Sequence, residues 1–212
     1  MGKENLGMIH VYTGDCKGKT TTSLGMALRA VGQNLKVCII QFMKGGAYTG
    51  ELIAIKNYFP KEKISIHQYG KPCVKEHRQL KLHGFNDDDE KFPDVDFVRE
   101  EIDCGPCRSC FLADEEEKLL IIDAFAHAKK ALVSGEYDMV ILDEINNALK
   151  KGTLPVDDVL SLLKEKHIHT EAILTGRGAP QEIIDAADLV TDMKEVKHYF
   201  NKGITARRGI EY

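Results

Sequence analysis

Tryptophan is absent from all 212 residues, and no apolar run approaches the roughly 18 residues a helix needs to cross a bilayer. The second absence excludes a membrane-spanning helix, and no membrane partner is expected. The first leaves any aromatic contact in a binding site to phenylalanine or tyrosine. Positive charge is not in excess either: 29 Lys and Arg stand against 33 Asp and Glu, for a formal net charge of −4. The chain therefore lacks the broad basic field on which nucleic-acid binding depends, and no nucleic-acid partner is expected. Internal repeats are also missing. The first apolar strand begins almost at once, which leaves no room for a secretory signal, and Leu6 stands where a myristoylation motif needs Ser or Thr. A cytoplasmic location is expected, and in that setting the six cysteines read as metal ligands or core residues rather than as disulfides.

What is present starts with TGDCKGKTTTS, Thr13 to Ser23, directly after the apolar residues Met8, Ile9, Val11 and Tyr12. Strand, glycine loop and helix start in that order make a phosphate site. The loop's backbone N–H groups converge on phosphate oxygens, Lys19 reaches the outer phosphates, and the Thr20 hydroxyl is placed to hold Mg²⁺, with Thr21 beside it. The following helix has apolar residues at Leu24, Ala27, Leu28 and Val31, read as one buried face with the helix's positive end under the phosphates. The standard pattern G-x-x-x-x-G-K-S/T wants glycine where this chain has Thr13; Gly14 comes one place later. With 43% hydrophobic residues the length suits one α/β domain with a full core and one insertion.

Further along, Lys36–Phe42 reads as a fully buried strand and leads into the glycine-rich MKGGAYTGE and a short helix that Pro60 stops. In a parallel sheet, ligands bind outside the carboxyl ends of strands, so Lys44, Thr49 and Glu51 are candidate substrate contacts. Ile64–Tyr69 alternates and forms a third strand, in which His67 reads as a packed or edge histidine. Residues 70–113 are charged and aperiodic, and they contain NDDDEKFPDVD and then DCGPCRSC. Helical periodicity returns at Asp114, whose acidic run suits a helix start. Tyr137–Glu144 is an apolar strand ending in two carboxylates, Asp143 and Glu144, the arrangement that helps hold Mg²⁺ beside a phosphate loop. A helix over Pro155–Lys166, a strand over Thr170–Leu174, the turn TGRGAP with Arg177, a helix over Ala179–Ala187 and a strand over Leu189–Met193 complete the alternation.

Taken together, VYTGDCKGKTT, QFMKGGAYTGE, YDMVILDEINNAL, ILTGRGAP, AADLVTDMKEVKH and GITARRGIEY closely resemble the phosphate-loop cob(I)alamin adenosyltransferases. The likeness covers most of the chain outside residues 70–113. That family's loop also begins with TG, so the Thr13 anomaly agrees with it. The resemblance implies an α/β, P-loop NTPase-like (RecA-like) three-layer fold: a single domain over 1–212, with a central, mostly parallel sheet and a cysteine-containing insertion at about 70–113. It also implies a reaction in which the Co(I) of cob(I)alamin or another corrinoid attacks the 5′ carbon of ATP and displaces triphosphate. No protein nucleophile or general base is needed.

By the same likeness, Lys19, Thr20 and Glu144 carry the catalytic load. ATP is held by Thr13, Gly14, Asp15, Cys16, Lys17, Gly18, Lys19, Thr20, Thr21 and Arg177. Gln41, Lys44, Thr49, Glu51, Phe85 and Asn146 shape the substrate site, and Thr20, Asp143 and Glu144 hold Mg²⁺ or Mn²⁺. A protein reductant such as flavodoxin or ferredoxin and a homodimer are implied as partners.

Three departures stand out. The family's aromatic pair includes tryptophan, and Phe85 is the nearest replacement here. The N-terminal extension of many members is missing. The third departure is Cys104, Cys107 and Cys110, whose spacing lets three thiolates converge on a metal. Cys73 is the candidate fourth ligand for a 4Fe–4S cluster, or Cys73, His77 or His83 for Zn²⁺; free thiols are the remaining option. Cys38 reads as core. Two rival functions remain open at this point: another phosphate-loop kinase or hydrolase, and an ATP-regulated metal-cluster redox protein.

Overall fold

The computed structural model describes residues 5–45, 49–72, 114–204 and 206–211. Phe85, the cysteine set Cys73, Cys104, Cys107 and Cys110, and the alternatives His77 and His83 lie outside the described residues.

Six strands form one sheet: β1 (Ile9–Thr13), β2 (Val37–Phe42), β3 (Ile64–Tyr69), β4 (Met139–Asp143), β5 (Glu171–Thr175) and β6 (Leu189–Asp192). Their order is β3-β2-β4-β5-β1-β6, and every described pairing is parallel. Parallel strands need crossovers, so helices cover both faces. On one face lie α1 (Lys19–Gly32) and α2 (Gly50–Tyr58), packed on Tyr12, Val37, Ile39, Ile141 and Ile173. The other face carries α3 (Glu115–Val133), α4 (Ile145–Lys150), α5 (Val156–Glu165) and α6 (Gln181–Asp185), over a core that includes Val11, Cys38, Ile40, Phe42, Leu142 and Leu174. Alternate residues of β2 thus serve opposite cores, which is why Val37–Phe42 is buried at all six positions.

Two readings of the sequence are resolved locally. The acidic run at Asp114 is a helix start: the Asp114 carboxylate accepts from the Glu117 N–H at 3.0 Å, with three glutamates in the first turn. The expected apolar face of α1 is corrected. Leu28 is 59% exposed, and the buried face is Lys19, Ser23, Ala27 and Ala30. The helix turns its small side chains to the sheet, a fit that Leu28 would block, while Leu24 and Val31 pack at the margins of that core.

All the strands run the same way, so their carboxyl ends share one edge. β1 delivers the glycine loop there, β2 the residues from Met43 onward, β4 Glu144, and β5 the turn Gly176–Pro180. Parallel register places Gln41 beside both Gln68 and Asp143 at that edge. The polar residues of the crevice are brought together by this register.

Candidate active site

The glycine loop explains its own irregularity. Gly14 has φ of 99°, and a Cβ there would lie 2.5 Å from the Met193 carbonyl oxygen. The end of β6 crowds the loop at that point: the Met193 N–H donates to the Thr13 carbonyl at 2.9 Å, and the Cys16 N–H to the Met193 carbonyl at 3.1 Å. Glycine is therefore required at 14. Thr13, still a β1 residue in register with Asp192, has a side chain with a separate use, since its Oγ1 accepts from the Ala179 N–H at 3.1 Å. Gly18, with φ of 118°, makes the second turn and caps α1.

Lys19 is buried, its ammonium curled back to donate to the Gly14 carbonyl at 2.7 Å and the Cys16 carbonyl at 2.6 Å. Burial lowers its proton affinity, a shift that an incoming anion would oppose. Asp15 and Thr21 are exposed. Lys17 is held by the tail of the chain: its Nζ lies 2.8 Å from the Tyr199 hydroxyl and 2.9 Å from the Glu211 carboxylate. Tyr199 donates to Glu211 as well, and Arg207 pairs with the same carboxylate at 3.2 Å. These hydrogen bonds, Arg207's first, hold the Glu211 carboxyl well below the usual range.

Asp143 is fully buried at the centre of the crevice. Its Oδ1 accepts from Thr20 at 2.8 Å and Thr175 at 2.6 Å; its Oδ2 accepts from Lys44 at 2.7 Å and Gln41 at 3.0 Å. Burial alone would raise its pKa, but the Lys44 ammonium and the hydroxyls overcome that and hold it below the ordinary carboxylate value. Glu144 behaves in the opposite sense. Burial first, and then the neighbouring Asp143 charge, push its pKa up. Glu144 also adopts a left-handed backbone, φ 67°, which is rare for a non-glycine residue. Its N–H donates to Thr175 Oγ1 at 3.0 Å, and its carboxylate accepts from the Asn147 side chain.

On the far side, Gln41 Nε2 reaches Glu51 at 3.1 Å, Lys44 lies 3.6 Å from Glu51, and Gln68 Nε2 spans Gln41 Oε1 at 2.8 Å and Thr49 Oγ1 at 3.2 Å. Arg177 is exposed on the turn after β5, where its N–H donates to Asn147 Oδ1 at 2.8 Å and its charge is felt at both Lys19 and Glu144. Asn146 is fully buried with neither side-chain polar atom hydrogen-bonded, against Gly176, where a Cβ would come 3.0 Å from Asn146 Cβ. The structure thus brings Lys19, Thr20, Gln41, Lys44, Glu51, Asp143 and Glu144 to one crevice. It adds Gln68, Thr175 and Asn147, which sequence reasoning missed. The signal for Gln68 and Thr175 was their position at strand ends; Asn147 gave none.

An all-parallel α/β sheet, a glycine loop capping the helix after β1, and buried carboxylates at the end of β4 define a phosphate-loop nucleotide-binding protein. The sequence model of the family described as ATP:corrinoid adenosyltransferase BtuR/CobO/CobP matches residues 5–96 and 88–212. A corrinoid adenosyltransferase of Escherichia coli K12 is 31% identical over 210 residues, covering 99% of this chain and 88% of its own. One from Pseudomonas aeruginosa is 33% identical over 210 residues, covering 99% and 86%. Corrinoid adenosyltransferase CobA of Salmonella typhimurium is 31% identical, with 99% and 88% covered. The chain belongs to the ATP:corrinoid adenosyltransferase family.

Proposed function

We propose that this crevice transfers the 5′-deoxyadenosyl group of ATP to the Co(I) of a corrinoid and releases triphosphate. The cobalt electron pair forms the Co–C bond, the C5′–O bond breaks, and its electrons leave with the triphosphate. One observation carries the reading beyond family membership: the phosphate loop and the β4 carboxylates are joined directly, Thr20 Oγ1 to Asp143 at 2.8 Å.

The residues then have distinct tasks. The amides of Gly14–Thr21 and the Lys19 ammonium hold the leaving triphosphate and stabilise the charge that develops on it. Lys19 exchanges the Gly14 and Cys16 carbonyls for phosphate oxygens. Asp143 has both oxygens engaged by protein donors, so it orients Thr20 and Lys44. Glu144 and Thr20 are hard oxygen donors suited to Mg²⁺ or Mn²⁺, which when bound would neutralise triphosphate charge. The fit is supported by placement: Glu144 follows Asp143, which Thr20 bonds at 2.8 Å, and the Glu144 pKa is raised by burial first and then by the Asp143 charge, a repulsion that a divalent cation would relieve. Asn146, Gln41, Lys44, Thr49 and Glu51 are assigned to nucleoside and corrinoid positioning, where alignment of C5′ with cobalt sets the rate. Asn146 supports this with two buried polar atoms that have no hydrogen-bond partner among the described residues. A flavodoxin- or ferredoxin-type reductant, a homodimer, Phe85 as the aromatic contact and a metal at Cys73, Cys104, Cys107 and Cys110 rest on the sequence reading alone.

The test supplies ATP and chemically reduced cobalamin without oxygen. Adenosylcobalamin and triphosphate should form in equal amounts. ADP and orthophosphate without an alkylated corrinoid would replace this reading with a kinase or hydrolase.

A further inference from the structure

Away from the crevice, three soft donors meet where the sheet edge packs on α3. Cys38 of β2, His67 of β3 and His127 of α3 each bring one ligand atom to within 4.8 Å of the other two. Strand alternation accounts for the convergence. Cys38 and Ile40 face α3, His67 is in register with Ile40, and His127 sits beside Ala128, which packs in the same core. The two imidazoles meet edge to face with centroids 4.5 Å apart. Two residues beyond His67, and so on the same strand face, the Tyr69 hydroxyl bonds His127 Nδ1 at 2.8 Å. Cys38 is fully buried and is not among the residues brought to the crevice.

We propose that Cys38, His67 and His127 form a binding site for a thiophilic divalent cation of the zinc type, which pins edge strand β3 to α3. One thiolate and two imidazoles, with a fourth position left to water, make a tetrahedral set that zinc accepts. With Zn–N of about 2.0 Å and Zn–S of about 2.3 Å, the ligand atoms stand ~3.5 Å apart, so loading draws the side chains inward by about 1 Å. Tyr69 is the positioning residue: when its oxygen accepts the Nδ1 proton of His127, Nε2 is left as the donor. On loading, the Cys38 S–H bond breaks, an S–metal bond forms and the proton leaves to solvent. Since β3 ends at Tyr69 and α3 begins at Glu115, the cation would tie together the two elements that flank the insertion.

The test titrates Co²⁺ into the full chain with Cys16, Cys73, Cys104, Cys107 and Cys110 all changed to Ser, which leaves Cys38 as the one thiol. We expect one Co²⁺ per chain with the ligand-field bands of a four-coordinate ion and a thiolate charge-transfer band, both displaced by Zn²⁺. Adding Cys38→Ala should abolish the charge-transfer band. His67→Gln should weaken Co²⁺ binding more than tenfold, and Tyr69→Phe about tenfold through loss of the orienting bond. Absence of the charge-transfer band before Cys38 is changed, or its survival in Cys38→Ala, overturns the proposal. If the Ser background does not fold, the same comparison is made in the natural chain as the difference between its spectrum and that of Cys38→Ala. If Cys38→Ala does not fold, the more exposed His67→Gln decides: unchanged Co²⁺ affinity there overturns the proposal. No readout involves turnover, so the result is independent of adenosyl transfer.

Discussion

The phosphate side of the crevice and the side formed by β2 and β3 follow opposite plans. On the phosphate side the groups that would meet a ligand are mostly backbone amides, fixed by Gly14 and Gly18 and by the contact of Met193 with Thr13 and Cys16. On the other side they are side chains, Gln41, Lys44, Glu51 and Gln68, and they spend their hydrogen bonds on one another. The first is pre-formed for an anion of fixed shape. The second must give up internal bonds when a substrate arrives, which suits a larger and more variable partner. Asp143 stands between them and is bonded to both.

The strongest way to break that comparison is to remove the shared post. Asp143→Ala leaves the partly exposed Lys44 ammonium with Glu51 alone at 3.6 Å and takes the acceptor from two hydroxyls, and should cost about 2–4 kcal/mol of stability in a urea titration. The pH dependence follows from the lowered Asp143 pKa. Its stabilising contribution is complete above the unfolded value of 3.8 and is lost as pH falls through the lower folded value, so the wild type should lose an acid-limb component that the variant lacks. An unchanged urea midpoint would mean that the two sides are independent.

Lys19→Ala acts on the phosphate side alone. It should lower kcat by roughly two to three orders of magnitude and leave the melting temperature near that of the wild type, because the ammonium bonds only two loop carbonyls, on the partly exposed residues Gly14 and Cys16, and nothing in the hydrophobic core. Full activity in this variant would remove the loop from the reaction. The smallest effect is expected from Gln68→Leu, which frees Gln41 Oε1 and Thr49 Oγ1. A loss of about 1 kcal/mol in stability and a rise in KM for corrinoid, with KM for ATP unchanged, would place the division between the two sides where the hydrogen bonds put it. A rise in both constants would erase it.

The same division governs what could be read in the sequence. The phosphate loop and the acidic end of β4 are contiguous strings whose chemistry depends on local order, so both were legible, as were all six strands. Gln68 was not, because its place beside Gln41 exists only through the register of two strands separated by a helix. The departure at Thr13 was visible in the sequence and agreed with the family resemblance, but its physical reason, Met193 far along the chain lying against Gly14, was not. Leu28 was misread because apolar spacing cannot tell a helix face that packs closely through Ser23, Ala27 and Ala30 from one that packs through leucine. Asn147 carries no sequence signal, since its side chain serves Glu144 and Arg177 only once the β4 and β5 turns adjoin.

The clasp between the phosphate loop and the carboxyl-terminal tail gives the molecule an optical reporter. Lys17, Arg207 and Glu211 all converge on Tyr199, with the Arg207 guanidinium 4.8 Å and the Lys17 ammonium 5.4 Å from its ring centroid. In a chain without tryptophan, tyrosine emission is not masked, and a phenol bonded to a carboxylate is quenched. A nucleotide that draws Lys17 toward its phosphates would take away the hydrogen bond the Tyr199 hydroxyl accepts from it and the ammonium beside its ring, and the intrinsic fluorescence would then register occupancy of the loop without any label.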